Sequence, residues 1–216
     1  MDTIQAFLNI ILHIDQYLFA FVSSYGAFTY AVLFLIIFCE TGLVIFPFLP
    51  GDSLLFAAGS IAANSKQELS IQLLFILLVT ASIFGNKINY LIGRYVGPRV
   101  FSSQKTWLLN KKHLLKAHRF YERHGGKTII MARFIPIIRT FAPFVAGIGY
   151  MSLKRFTLYN IVSALLWIGS LLGAGYYFGM LPFVQAHFTL IIYLIIVISL
   201  LPPVLNFGYQ KICRKI

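Results

Sequence analysis

Four charged residues fall inside stretches that are otherwise built for an apolar environment. Glu40 and Asp52 lie in residues 28–63, and Arg133 and Arg139 in residues 128–150. An ionisable side chain at the centre of a bilayer costs about 2.5–3.5 kcal/mol on insertion scales, so its presence there points to function. Arg133 and Arg139, six residues apart, offer planar guanidinium forks suited to phosphate. Glu40 and Asp52 suit proton handling, because a carboxyl's hold on its proton changes with burial and with a neighbouring arginine. The purely structural alternative is a set of buried ion pairs that fix chain reversals, Asp52 with one arginine among them. Such pairs are often neutral for stability.

The neighbours of these charges say how they are presented. Asp52 and Ser53 follow Pro50-Gly51, where a new half-helix is expected to start, and either is placed to cap it. Thr140 follows Arg139 and precedes Pro143, which gives the second stretch a similar tip. Half-helix N-termini offer unpaired N–H groups and a partial positive charge, so two such tips attract an anion. Arg133, Arg139, Thr140 and Ser53 are therefore the expected phosphate-binding residues, with Glu40 and Asp52 handling the proton. Asn86, Lys87 and Asn89 are weaker candidates inside an apolar helix; Lys87 faces either a cavity or the surface.

The elements that position these residues follow from composition. Of 216 residues, 59% are hydrophobic and 11% charged, with a mean hydropathy of +0.81. A soluble domain normally has about a quarter of its residues charged, so a membrane domain is implied. The net charge is +12, and nine Lys or Arg against one acid (Glu122) lie between Arg94 and Lys127. Beside apolar segments, that cluster marks a cytoplasmic loop touching anionic headgroups, and nucleic acid is not an expected partner. The five histidines lack ligand spacing, and Cys39 and Cys213 stand far apart, so neither a metal, a cofactor nor a disulfide framework is expected. Trp107, Trp167, Tyr176 and Tyr177 read as interfacial or packing residues. Met1-Asp2-Thr3-Ile4 lacks a positive n-region, and no cleaved signal is read.

A crossing needs about 20 apolar residues. Residues 70–97, 154–180 and 188–210 qualify as transmembrane helices. Residues 1–25 read as an amphipathic N-terminal helix, and 98–127 as a basic loop with an amphipathic surface helix over 106–124. Residues 28–65 and 128–150 are apolar but interrupted by Pro and Gly, and read as re-entrant hairpins, since broken backbone at membrane depth must be buried or line a cavity.

The chain also repeats. Phe56-Ala57-Ala58-Gly59 answers to Phe144-Val145-Ala146-Gly147, and the span from Ser70 to Gly97 equals that from Ser152 to Gly179 at 27 residues. A unit of one hairpin plus one crossing has an odd number of crossings, so two in series are inverted, the pattern that places a transporter's site at their junction. The expected fold is an all-α integral membrane domain: an inverted repeat of re-entrant hairpin plus transmembrane helix, with surface amphipathic helices and a C-terminal transmembrane helix. With residues 94–127 inside, the C-terminus is cytoplasmic.

Two signatures stand out: Glu40-Thr41-Gly42, the run Pro47 to Leu55, and Ala58-Gly59 in the first half, and His124 to Lys127, the run Arg133 to Pro143, Ala146-Gly147 and Met151 in the second. In both, the chain resembles the bacterial DedA family, which carries a VTT (SNARE-associated) domain. The resemblance implies a bacterial inner-membrane protein related to lipid scramblases, linked to recycling undecaprenyl phosphate and to the proton-motive force. It also places the family's essential acids on Glu40 and Asp52 and its essential arginines on Arg133 and Arg139. One departure stands out: Asn86 occupies a position where the family commonly has Asp, which puts proton coupling through that position in doubt.

The function these readings favour is proton-linked flipping of undecaprenyl phosphate or a similar anionic lipid, with membrane phospholipids as surroundings and the oligomeric state left open. Two alternatives are a proton-coupled transporter of small cations or drugs, and an intramembrane polyprenyl-pyrophosphate phosphatase. The phosphatase needs a nucleophile and base, but Ser53 and Thr140 have no histidine partner in sequence. A scaffold for envelope assembly is the fourth class, and it alone tolerates neutral residues at all four charges.

Overall fold

In the computed structural model, residues 25–43, 51–63, 69–102, 125–149, 151–188 and 190–195 are described, and no strand occurs among them. The helices are α1 (Phe28–Gly42), α2 (Gly51–Ala63), α3 (Ile71–Ser102), α4 (Lys127–Ala132), α5 (Pro136–Ile148), α6 (Leu153–Phe178) and α7 (Pro182–Ala186). The expected amphipathic segments over 1–25 and 106–124, the Pro47–Pro50 break, and most of the 188–210 crossing lie outside the described residues.

Among the described residues, two helices are long and apolar enough to cross a membrane, Ile71–Tyr95 within α3 and α6 itself. At 25 and 26 residues and about 1.5 Å of rise each, they exceed a hydrocarbon core of about 30 Å. Helix α3 starts where the sequence changes from polar to apolar, and Ser70 caps it, its Oγ accepting from the Leu73 N–H at 3.5 Å. The Ser70 N–H is in turn donated to the Tyr30 hydroxyl at 2.6 Å. The other apolar helices are short: α1 has 15 residues and α2 and α5 have 13 each. None of these three is long enough to cross alone.

The predicted interruption of residues 128–150 is present as α4, a break at Arg133–Ile135, and α5. Pro136 opens α5, where its missing N–H costs nothing. Pro143 lies inside α5 and cannot donate to the carbonyl four residues back, which is that of Arg139. The helical ladder is thus interrupted beside a site residue. Helix α2 begins at Gly51, so Asp52 and Ser53 sit within its first turn rather than ahead of it as caps.

The chain forms two compact units, one from 1–34, 49–78 and 168–216, the other from 35–48 and 79–167. Helices α3 and α6 contribute to both. In the first unit, a Cβ on Gly59 of α2 would overlap the Leu172 carbonyl of α6, and one on Gly175 would overlap the Phe56 carbonyl. In the second, a Cβ on Gly147 of α5 would overlap the Tyr90 carbonyl of α3, and one on Gly93 would overlap the Phe144 carbonyl. These are the same contacts at corresponding positions of the sequence repeat. The short helices α2 and α5 therefore each pack on the long helix of the other repeat copy. The backbones touch because no side chain intervenes, as small-residue helix interfaces in membranes require.

The second unit's core shows what this contact supports. Tyr90, Ile129, Ala146 and Phe156 are buried together, with the Tyr90 and Phe156 rings stacked at 4.3 Å. The Tyr90 hydroxyl donates to the Met151 carbonyl and accepts from Arg94 Nη1 at 2.9 Å. The α6 glycines Gly169 and Gly173 differ: among the described residues, a Cβ on Gly169 would meet the Phe75 ring at 3.6 Å, and one on Gly173 nothing within 4 Å.

Gly147→Ala is expected to lower stability by about 1–3 kcal/mol through overpacking, with Gly59→Ala behaving alike. Gly173→Ala should leave stability level or raise it by about 0.5–1 kcal/mol. Thermal unfolding in detergent separates the two classes, and equal effects at Gly147 and Gly173 would refute the contact.

Candidate functional site

Three of the four singled-out charges come together in the second unit. Glu40 sits near the C-terminal end of α1 and is fully buried. Arg139 lies on α5, is 4% exposed, and its Nη2 forms an ion pair with Glu40 Oε1. Arg133, at the break after α4, is 2% exposed. Thr140, beside Arg139, is buried as well. Asp52 and Ser53 belong to the first unit, where Asp52 is half-buried and Ser53 buried.

The two arginines share an aromatic wall. The guanidinium carbon of Arg139 lies 4.6 Å from the Trp167 ring centroid and that of Arg133 5.3 Å. Trp167 is 1% exposed, so of its two readings, interfacial or packing, the second holds, with the ring serving as a buried cation–π platform. Such contacts contribute about 2 kcal/mol when desolvated. They partly offset the cost of placing two like charges near one ring.

A polar cluster from α3 and α6 holds Arg133 by one nitrogen. Its Nη1 donates to Asn160 Oδ1 at 3.1 Å and to Ser163 Oγ at 3.0 Å. Asn86 Nδ2 donates to the same Asn160 oxygen at 2.9 Å. Asn160 in turn donates to the Ile83 carbonyl at 3.0 Å, and the Ser163 hydroxyl donates to the Asn160 carbonyl at 2.9 Å. Among the described residues, Arg133 Nε and Nη2 have no hydrogen-bond partner although they are buried. Those two nitrogens form one edge of the guanidinium plane, the edge that grips two oxygens of a phosphate or carboxylate at once.

Asn89 fixes the acid against the base. Its Nδ2 donates to the Thr41 carbonyl at 3.3 Å and to the Thr140 carbonyl at 2.7 Å. It thereby ties the last turn of α1, next to Glu40, to the turn of α5 that carries Arg139. A Cβ on Gly85 would overlap Thr41 Oγ1, so glycine at this position lets α1 approach α3. Lys87, between the asparagines, is exposed and takes no part.

The repeat tests whether this polarity is needed for folding. Aligned through Ser70 with Ser152 and Gly93 with Gly175, Asn160 answers to Leu78, Asn86 to Ile168 and Asn89 to Leu171. Leu78 and Ile168 are as buried as the asparagines they match. The same helix contact is thus made in the first unit with apolar residues, and the amides of the second unit serve the charges. Sequence reading did not select Asn160, Ser163 or Trp167. A comparison of the repeat copies position by position would have found Asn160, because it breaks the apolar match.

The VTT domain family model matches residues 49–177. The protein named DedA from Escherichia coli K12 is 51% identical over 211 residues, covering 98% of this chain and 96% of its own. An uncharacterized membrane protein of Mycobacterium tuberculosis, MT0380, is 40% identical over 184 residues, covering 84% of this chain and 81% of its own. The inner membrane protein YghB of Escherichia coli K12 is 36% identical over 160 residues, covering 73% and 71%. No solved structure matches. With two apolar helices of spanning length and a domain match over more than half its residues, the chain is a membrane protein and belongs to the DedA family.

Proposed function

We propose that this protein carries an anionic lipid headgroup between bilayer leaflets, with undecaprenyl phosphate or a chemically similar phospholipid as substrate and with proton linkage. The observation that carries the reading is the pair of buried guanidiniums, Arg133 and Arg139, with Glu40 ion-paired to the second. Arg139 is pinned by Glu40, whereas Arg133 keeps its Nε–Nη2 edge for a ligand. A phosphate seated there displaces or shares the Glu40 contact, and Glu40 takes up or releases a proton as that contact changes. Asp52, with Ser53 and Thr140 at the tips, supplies the second acid and further polar contacts in this reading. The prenyl tail stays in lipid, so the protein need only shield the headgroup.

The short helices α1, α2, α4 and α5 are read as arms of two re-entrant hairpins, each too short to cross. A relative is named an inner membrane protein, and the basic run from Arg94 to Lys127 supports a cytoplasmic side for that segment and for the C-terminus by the positive-inside rule. We read a carrier and not an enzyme, because the hydroxyl on Arg133, that of Ser163, is spent on the Asn160 carbonyl rather than on a base. Two buried guanidiniums disfavour cationic substrates and drugs.

Purified protein in liposomes is expected to speed the loss of undecaprenyl phosphate from the outer leaflet, and Arg139→Lys should cut the rate at least about tenfold by removing the fork. No acceleration by the intact protein would reject the reading. In a Trp107→Phe variant, Trp167 is the one remaining tryptophan. Its emission is expected to shift when polyprenyl phosphate draws the guanidiniums from its face, and an unchanged spectrum at saturating lipid would count against binding at this site.

A further inference from the structure

The orientation of two buried amides on α3 is forced by what surrounds them. Asn160 Nδ2 donates to the Ile83 carbonyl at 3.0 Å, so the opposite atom of that amide is its oxygen. That oxygen accepts from Arg133 Nη1 at 3.1 Å, and Asn86 can join it at 2.9 Å only through Nδ2. Asn86 Oδ1 is therefore the atom left outside the cluster. Asn89 is fixed likewise, because its Nδ2 lies between the Thr41 and Thr140 carbonyls at 3.3 and 2.7 Å. Asn86 and Asn89 are 2% and 0% exposed. Among the described residues, neither Oδ1 has a hydrogen-bond partner.

The Nε–Nη2 edge of Arg133 asks for acceptors, whereas these amide oxygens ask for donors. A bare phosphodiester satisfies the first demand and has no hydrogen for the second. A buried acceptor left unmet costs free energy, so ligands are ranked by whether they meet it. Arg133 Nη1 and Asn86 Nδ2 converge on one Asn160 oxygen, which brings the open edge and the open Asn86 oxygen within reach of a single headgroup. We infer that Asn86 determines specificity: its Oδ1 accepts an O–H hydrogen from the headgroup whose phosphate oxygens sit on Arg133. The donor is a hydroxyl on the phosphate itself or an alcohol beyond it. The inference rests on the anionic-lipid reading above and adds a requirement that charge alone does not impose.

The test uses the full chain in phosphatidylcholine nanodiscs with two pairs of short-chain probes, matched in charge. Phosphatidylglycerol and phosphatidylmethanol are both singly charged diesters and differ in the hydroxyls of the headgroup. At about pH 5 a polyprenyl monophosphate keeps one proton, and its methyl diester has none to give. By calorimetry, the hydroxyl-bearing member of at least one pair is expected to bind about tenfold tighter or more. A preference within the first pair assigns the donor to a headgroup alcohol, and one within the second pair assigns it to the phosphate. Asn86→Leu, apolar like the buried Ile168 that answers to it in the repeat, should bring that ratio to about one. Should the variant fail to fold, the ratios of the unaltered chain decide alone. Equal affinities within both pairs, the result if ordered water meets Asn86, overturn the inference while leaving anion binding intact, as does a ratio that survives Asn86→Leu. Binding of none of the four probes overturns the parent reading instead.

Discussion

The described part of the second unit is arranged around two buried guanidiniums, one of them ion-paired with the buried carboxylate of Glu40. Leaving a charge unpaired in such surroundings costs several kcal/mol, so the chain must supply compensation at close range. The Glu40 ion pair serves Arg139, the Trp167 face serves both arginines, and the Asn160 and Ser163 oxygens serve one nitrogen of Arg133. The compensation stops short at the Nε–Nη2 edge of Arg133. A pair evolved only to hold helices together would be expected to satisfy that edge too, because unsatisfied buried donors cost about 1–3 kcal/mol each.

The repeat explains how such a site is tolerated. The short helices α2 and α5 each pack by glycine on the long helix of the opposite copy, so both copies contribute to each unit. In the first unit, that contact is lined by Leu78, Ile168 and Leu172, which are buried without polar demands. In the second, the corresponding places hold Asn160, Asn86 and Tyr90. One copy of the contact keeps its apolar packing while its twin is free to carry amides and charges. The interlocking also means that neither repeat copy is a compact unit by itself.

Much of this was legible in the sequence. Glu40, Arg133 and Arg139 stood out because apolar context makes any charge conspicuous, and the broken stretch 128–150 was marked by Pro136 and Pro143. The crossings 70–97 and 154–180 coincide with α3 and α6 to within a few residues, apart from the polar extension of α3 to Ser102. What was not legible was the partnership. Spacing along one chain cannot say that Arg139 meets Glu40 from a helix 99 residues away, or that Trp167 lies beneath both arginines. A buried tryptophan and an interfacial one look alike in sequence, since both stand among aliphatic neighbours. Asn160 is hidden for the same reason: a lone amide in an apolar helix is as often a packing residue as part of a site.

The geometry around Arg133 gives the remaining step. A guanidinium held by three sides is a fixed counter-ion, whereas one held by a single nitrogen is oriented and yet available. Asn86, Asn160 and Ser163 form a chain of neutral donors and acceptors anchored on backbone carbonyls of α3 and α6, so they set the plane of Arg133 without neutralising it. A carboxylate in the place of Asn86 would strengthen the hold and discharge the site in the same stroke. Neutral amides orient the guanidinium without cancelling its charge, and under the proposed function that charge is left for the headgroup, which must also be able to leave.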